Sequence, residues 1–307
     1  MAKIDYEQYL VRQTTNQVTV YTNNENIRAM NLLSNAQVPD SNHCIEVAWI
    51  TALPRPGFSP GEHTHDCDEI VLYWGSDFQA PQVLGGEIEY IIGGQPITFN
   101  TTTAFYIPKG TPHGPATWKK YIAPHMRMSM MLGRGEYIVH DSKSAGKKKA
   151  FDYEQYAVRS PMREAGAEFI KGRTSPTMTY MSGVQVPGVK YYIEFGWTFD
   201  MPLSRTAGAG MPEMAHNNYD EIVLHSGGDP ANPEELGGEV EFYVGGQPLT
   251  FDTTSALFIP RGLRHGPLRL KEYHQPHIVM AIMCGAGTLK EGWGDSFVTK
   301  PENQAKK

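Results

Sequence analysis

His63 and His65 place two imidazoles in alternation, and Glu69 follows four residues after the second. A third imidazole, His113, closes the run Pro108-Lys109-Gly110-Thr111-Pro112-His113. Three neutral imidazoles and one carboxylate are a donor set for a borderline divalent metal such as Fe, Mn, Ni, Co or Zn. Side chains at i and i+2 of a strand project to one face, so His63 and His65 can address one ion. The set leaves one or two coordination positions for water, dioxygen or a chelating substrate.

Other residues could assist. Asp66 and Asp68 flank the ligands, where either could orient an imidazole or sit on a solvated rim. Cys67 between them reads as a small buried residue. His125 and Tyr106 are the candidate proton carriers beside the metal. Tyr73 and Tyr90 offer further phenols, and Arg127, Lys109, Arg261 and Arg264 could each bind a carboxylate. Glu46 and Trp49, like Glu194 and Trp197, could line the pocket wall, and the plainer reading is a strand with a packed aromatic. The methionines after His125 read as barrel lining.

The elements that must position these groups are written twice. Asp5-Tyr6-Glu7-Gln8-Tyr9-Leu10-Val11-Arg12 returns with one change as residues 152 to 159. Asp68-Glu69-Ile70-Val71-Leu72 returns as Asp220-Glu221-Ile222-Val223-Leu224, and His113-Gly114-Pro115 as His265-Gly266-Pro267. Such a repeat predicts two domains of one fold. They are expected at residues 1–142 and 152–307, joined by a polar linker at 143–151 that holds Lys147-Lys148-Lys149. Each half reads as short strands: Cys44 to Thr51, Ile70 to Tyr73, Glu87 to Ile92, Ile97 to Phe99, Ala104 to Ile107 and His125 to Leu132. Helix signal is confined to a turn at each Asp-Tyr-Glu-Gln-Tyr segment and to Glu25 to Ser34. The tail Pro301 to Lys307 is expected to fray. Many short antiparallel strands imply a sandwich or jelly-roll barrel.

Composition sets the outer limits. The chain has 307 residues, enough for two domains with their own cores. A net charge of -6 gives no basic signal for nucleic acid. No apolar run is long enough for a membrane helix, and the first residues show no apolar signal region. Three cysteines, Cys44, Cys67 and Cys284, cannot build a disulfide framework, so cytoplasm is the expected location.

The first motif, Gly57-x5-His63-x-His65-x3-Glu69, resembles the first motif of the cupin superfamily. Thr102-x5-Pro108-x-Gly110-x2-His113 resembles the second, although Thr102 stands where the family usually has Gly and Thr117 where it has a closing Asn. Two such units in tandem look like a bicupin. The resemblance implies an all-β chain of two tandem double-stranded β-helix (jelly-roll) barrels with short helical segments. It implies one divalent metal in the mouth of the first barrel, on His63, His65, Glu69 and His113. It also implies a homo-oligomer. It does not select a reaction, because the family spans dioxygenases, decarboxylases, isomerases, lyases and non-catalytic binding proteins.

The second half departs from the first. Met214 stands where a histidine is expected, His216 matches His65 if one residue is inserted, and Glu221 and His265 keep their places. This barrel either holds no metal, holds a second ion on His216, Glu221 and His265, or recruits His225 as a further ligand. The complete first site is expected to carry the chemistry. The leading expectation is an iron dioxygenase for a small catecholic, enolic or diketone substrate. The alternatives are a non-redox isomerase, decarboxylase or lyase using Mn, Zn, Ni or Co as a Lewis acid, and a binding or structural protein whose metal is inert.

Overall fold

The computed structural model describes residues 4–12, 14, 27–55, 59–141, 151–162, 178–200 and 213–293. Among these the chain is nearly all β, with antiparallel pairing throughout. After β1 (Leu10–Val11) come β2 (Ile27–Leu33), β3 (Cys44–Ile50), β4 (His63–Thr64), β5 (Asp68–Gly75), β6 (Val83–Ile92), β7 (Gln95–Thr101), β8 (Thr103–Ile107), β9 (His113–Tyr121), β10 (His125–Leu132), β11 (His140–Asp141) and β12 (Ala157–Val158). The second half holds β13 (Met178–Met181), β14 (Tyr191–Thr198), β15 (Asp220–Gly227), β16 (Glu235–Val244), β17 (Gln247–Thr253), β18 (Ser255–Ile259), β19 (His265–Tyr273), β20 (His277–Cys284) and the short helix α1 (Leu289–Trp293). No helix among the described residues is long and apolar enough to cross a membrane.

The first barrel pairs a six-stranded sheet, β12-β8-β5-β10-β3-β2, with a five-stranded one, β11-β4-β9-β6-β7. Alternation builds the core between them: on β7, Ile97 and Phe99 are buried while Pro96, Thr98 and Asn100 face out. They meet Ile88, Tyr90 and Trp118 of their own sheet and Val71, Tyr73 and Phe105 of the other. Burying such a set drives closure at roughly 25 cal/mol per Å² of apolar area. The second barrel repeats this with β1-β18-β15-β20-β14-β13 and β17-β16-β19. Its core gathers Val240, Phe242, Leu249, Phe251, Val223 and Leu257.

The Gly-Gly pairs have a stereochemical reason. Gly93 and Gly94 turn β6 into β7 with φ of 59° and 81°, and Gly245 and Gly246 do the same at 55° and 82°. A two-residue hairpin of this hand needs positive φ at both positions, where glycine carries no penalty. Gly93 is also pressed by the ring of Tyr153, and Gly245 by the ring of Tyr6, so a Cβ at either would collide.

Those tyrosines revise the domain boundaries. The compact units are residues 14–160, and residues 1–13 together with 161–307. Each octet is an arm: Tyr6–Tyr9 and Tyr153–Tyr156 form single 3₁₀ turns, capped by Asp5 and Asp152. The first arm adds β1 to β18 of the C-terminal unit, and the second adds β12 to β8 of the N-terminal unit. The side chains dock alike. Gln247 accepts from the Tyr6 N–H and Gln95 from the Tyr153 N–H; Arg12 donates to the Thr250 carbonyl and Arg159 to that of Thr98. The cut expected at 142 therefore misses the arms: the first octet belongs to the C-terminal unit, and residues 152 to 159 to the N-terminal one. Residues 142–150, most of the expected linker, and the tail lie outside the described residues.

One helix expectation fails. Ile27–Leu33, inside the stretch Glu25 to Ser34, is a strand paired along β3. Ala29, Met30 and Leu32 favour helix locally, but edge pairing and burial of Met30 and Leu32 override that preference.

Candidate metal centre

His63 on β4 lies directly opposite His113 at the start of β9. His65 follows β4, and Glu69 is the second residue of β5. All four are buried. Each imidazole is fixed from behind: Nδ1–H of His63 donates to the Gly61 carbonyl at 2.8 Å, that of His65 to Ile138 at 2.5 Å, and that of His113 to Thr111 at 2.8 Å. This sets the tautomer and turns every Nε2 lone pair inward, as outer-shell carbonyls do for metal-binding histidines. The ligand atoms of the three histidines lie within 4.8 Å of one another. Glu69 Oε2 stands 3.0 Å from His113 Nε2 and 3.5 Å from His65 Nε2. Ser129 Oγ–H donates to the other oxygen, Oε1.

Glu69 Oε2 and the Nε2 atoms of His65 and His113 are buried without a well-directed hydrogen bond. Buried polar atoms that converge without partners carry a desolvation cost, which a cation at their centre relieves. Burial opposes ionisation of Glu69, yet His113, His65 and Ser129 outweigh it and hold its carboxyl down at about 2. Burial, aided by His113, pushes His63 down to about 4. Burial also lowers His65, whereas at His113 burial is outweighed by Glu69, which pushes it up, so the site sets a permanent carboxylate beside two imidazoles that resist protonation and a third whose proton a divalent metal would displace. The donor set fits a divalent metal.

The second barrel reproduces three quarters of this. His216 and His265 set Nε2 at 3.3 and 3.0 Å from Glu221 Oε2, and all three are buried. The turn that brings His216 is held by Gly262 N–H on the His216 carbonyl, as Gly110 N–H holds that of His65. Met214 pairs with His265 and is buried. Tyr219 lies flat on His216, their centroids 4.4 Å apart. His225 sits further along β15 and is not among the converging ligands, so the expectation of a recruited third histidine is corrected.

The two candidate proton carriers are also misplaced. His125 opens β10 opposite Gly75, the far end of β5 from Glu69. Both its nitrogens are engaged, Nδ1–H donating to Ala123 at 2.9 Å and Nε2 accepting from the Trp118 indole at 2.7 Å. Tyr106 alternates away from the core residues Phe105 and Ile107, and its hydroxyl donates to Asp68 at 2.6 Å. Asp68 also accepts the Lys109 N–H, and Asp220 that of Arg261, so these aspartates tie the motif turns together. Asp66 pairs with Arg134 on the rim. Arg261 and Arg264 pair with Asp220 and Glu213 at the surface. Met126, Met128 and Met130 alternate to the face of β10 opposite Ser129, so of that run Met131 alone shares the ligand face.

One segment escaped sequence reasoning, and one acid was underrated by it. The segment after β10 crosses back, pairs β11 with β4, fixes His65 through Ile138, and sets the Tyr137 ring edge-on to His65 at 5.4 Å. It has no repeat partner and no periodicity to mark it. Glu46 is buried opposite Ser129, and burial, with Glu69 nearby, pushes its carboxyl up to about 8. The sequence left Glu46 between a pocket wall and a packed strand, and the register sets it opposite Ser129.

No protein-family model matches the chain, and no curated protein matches it. Solved structures do. Vicilin from Corylus avellana (hazelnut) superposes with a TM-score of 0.56 at 9% identity, over 91% of this chain and 86% of that one. Oxalate decarboxylase from Bacillus subtilis gives 0.54 at 10%, over 87% and 76%. AerE from Microcystis aeruginosa gives 0.50 at 11%, over 88% and 95%. At such identities the likeness carries the architecture and nothing finer, and by that architecture the chain shares the two-barrel, antiparallel jelly-roll fold of these structures.

Proposed function

We propose that the chain is a metal-dependent enzyme whose first barrel acts on a small oxygenated substrate. The observation that carries this is the convergence of three carbonyl-fixed imidazoles and the Ser129-tethered Glu69 on one buried point. Bacillus subtilis oxalate decarboxylase, a protein of the same fold, has Mn(II) centres, which supports a divalent ion here. When bound, the ion would supply Lewis acidity and, if it is iron, a route to dioxygen chemistry. The protein orients the ligands, holds Glu69 ionised, and walls the point from solvent with Tyr90 and Tyr137.

The leading reaction class is dioxygenation of a catecholic, enolic or diketone substrate with iron. Oxygen uptake by the iron-loaded protein with such substrates tests it; tightly held zinc, with turnover unchanged by chelation, would sink the catalytic reading. A second class, non-redox proton-transfer chemistry, is favoured by Glu46, a buried carboxyl that stays protonated near neutral pH and so can give or take a proton.

A further inference from the structure

The register of β3, β10 and β5 stacks the interior of the first barrel in layers beneath the metal ligands. Cys44, Met131 and Glu69 form the first, Glu46, Ser129 and Val71 the second, and Ala48, Arg127 and Tyr73 the third. In the second barrel the same layers hold Tyr192, Met283 and Glu221, then Glu194, Ala281 and Val223, then Gly196, Val279 and His225. The metal-binding carboxylate survives in both. Ser129 and Arg127 of the first barrel become Ala281 and Val279 in the second, and Tyr90 becomes Phe242.

A guanidinium on an inward face costs free energy to desolvate, and the barrel retains one only beneath the complete site. Arg127 Nε donates to the Tyr73 hydroxyl at 3.2 Å, and the guanidinium lies 5.9 Å from the centre of that ring. Arg127 is half-buried, and burial of its guanidinium pushes its pKa down, which an anion placed beside it would offset. Glu46 is 4% exposed, and its Oε2 has no hydrogen-bond partner. The first and third layers are four residues apart along a strand, about 13 Å, and the long arginine side chain shortens that span to small-molecule length. In charge terms, a divalent ion offset by Glu69 alone leaves an excess positive charge above Arg127.

We propose that this face is a binding subsite for an anionic group of the substrate, with Arg127 as its counter-charge and Glu46 as a hydrogen-bonding carboxyl beside it. The substrate class is then a small oxygenated acid, which chelates the metal at one end and meets Arg127 at the other. The inference rests on the first barrel holding a metal on its four ligands.

Isothermal titration of the metal-loaded protein with protocatechuate and with its methyl ester tests this. Both chelate through vicinal hydroxyls, and only the acid carries a carboxylate. The expected result is that the acid binds at least about tenfold tighter than the ester. In Arg127→Met the two should fall within about threefold, with metal content unchanged by elemental mass spectrometry. Equal affinities in the wild-type protein would overturn the subsite and leave the metal-site reading standing. Failure of both compounds to bind metal-loaded protein would overturn both, because no open coordination position would then exist. Should Arg127→Met lose its metal, the wild-type comparison of acid and ester decides alone.

Discussion

Met214 occupies the place of His63: His63 is the cross-strand partner of His113, and Met214 that of His265. The backbone that presents the missing ligand is therefore intact, and only the donor atom has changed. A thioether is a poor ligand for hard divalent ions. Met214→His should restore a fourth donor. We expect the variant to retain more metal per chain than the wild type after dialysis against a moderate chelator, by elemental mass spectrometry. Unchanged retention would show that Tyr219 or the surrounding packing, and not the missing imidazole, limits the second site.

The two sites should also load unequally. His113→Ala removes a donor fixed by Thr111 and leaves Glu69 with one histidine fewer beside it. It should remove most of the bound metal. If His113→Ala retains more than half, and His265→Ala removes the remainder, the second barrel shares the load equally and the incomplete site is not a weak one.

Ser129 acts through Glu69. Its hydroxyl orients the carboxylate, and the second barrel has Ala281 in the matching place. Outer-shell partners of this kind are worth about 10- to 100-fold in metal affinity. Ser129→Ala should weaken metal binding in that range, while Ala281→Ser should strengthen it in the second barrel. A competition titration against a fluorescent chelator reads both.

Much of this was legible in the sequence because it depends on local spacing. His63, His65, Glu69 and His113 sit in motifs whose turns and strands fix where they point, and the repeat exposed Met214 as the departure. Long-range facts were not legible. Tyr137 reaches the site through a crossing segment that no pattern marks. His125 looked functional because it heads a strand near the motifs, yet strand direction carries it to the opposite end of β5. The arms were visible as a repeated octet, but their pairing is set by β18 and β8, far away in sequence. Residues 27–33 show the same limit, since β3 and not local propensity decides their conformation.

Glu46 should leave a signature in the pH dependence of stability. Its carboxyl rises from 4.5 to about 8 on folding, first through burial and then through Glu69. The native state therefore binds more protons than the unfolded state between those values, and this contribution to stability falls as pH rises through that window. It is fully present below the unfolded value and lost above the folded one. Glu46→Gln keeps the shape and removes the titration. In chelator-treated protein, the melting temperature of the variant should decline less than that of the wild type between pH 5 and pH 8. Parallel curves would mean that Glu46 is already ionised in the folded barrel.

The arm assignment makes the sharpest structural prediction, because the two domain boundaries place the effect of one substitution in opposite halves. Leu10 is buried in the core cluster of the C-terminal unit, with Val223, Leu257 and Phe242. Leu10→Ala should cost about 2–3 kcal/mol. If residues 1–13 belong to that unit, the loss appears there: amides of β15 to β18 should exchange faster with deuterium, and peptides of β3, β5 and β10 should keep their protection. Val158 is the converse case, since β12 lies on β8, and Val158→Ala should loosen β5 and β8 while sparing β15. A boundary at residue 142 demands the reverse in each case, Leu10→Ala acting on the N-terminal half and Val158→Ala on the C-terminal half. Hydrogen exchange with peptide resolution separates the two patterns, because each substitution is small enough to leave both cores folded and each arm strand pairs with a strand of the barrel it completes.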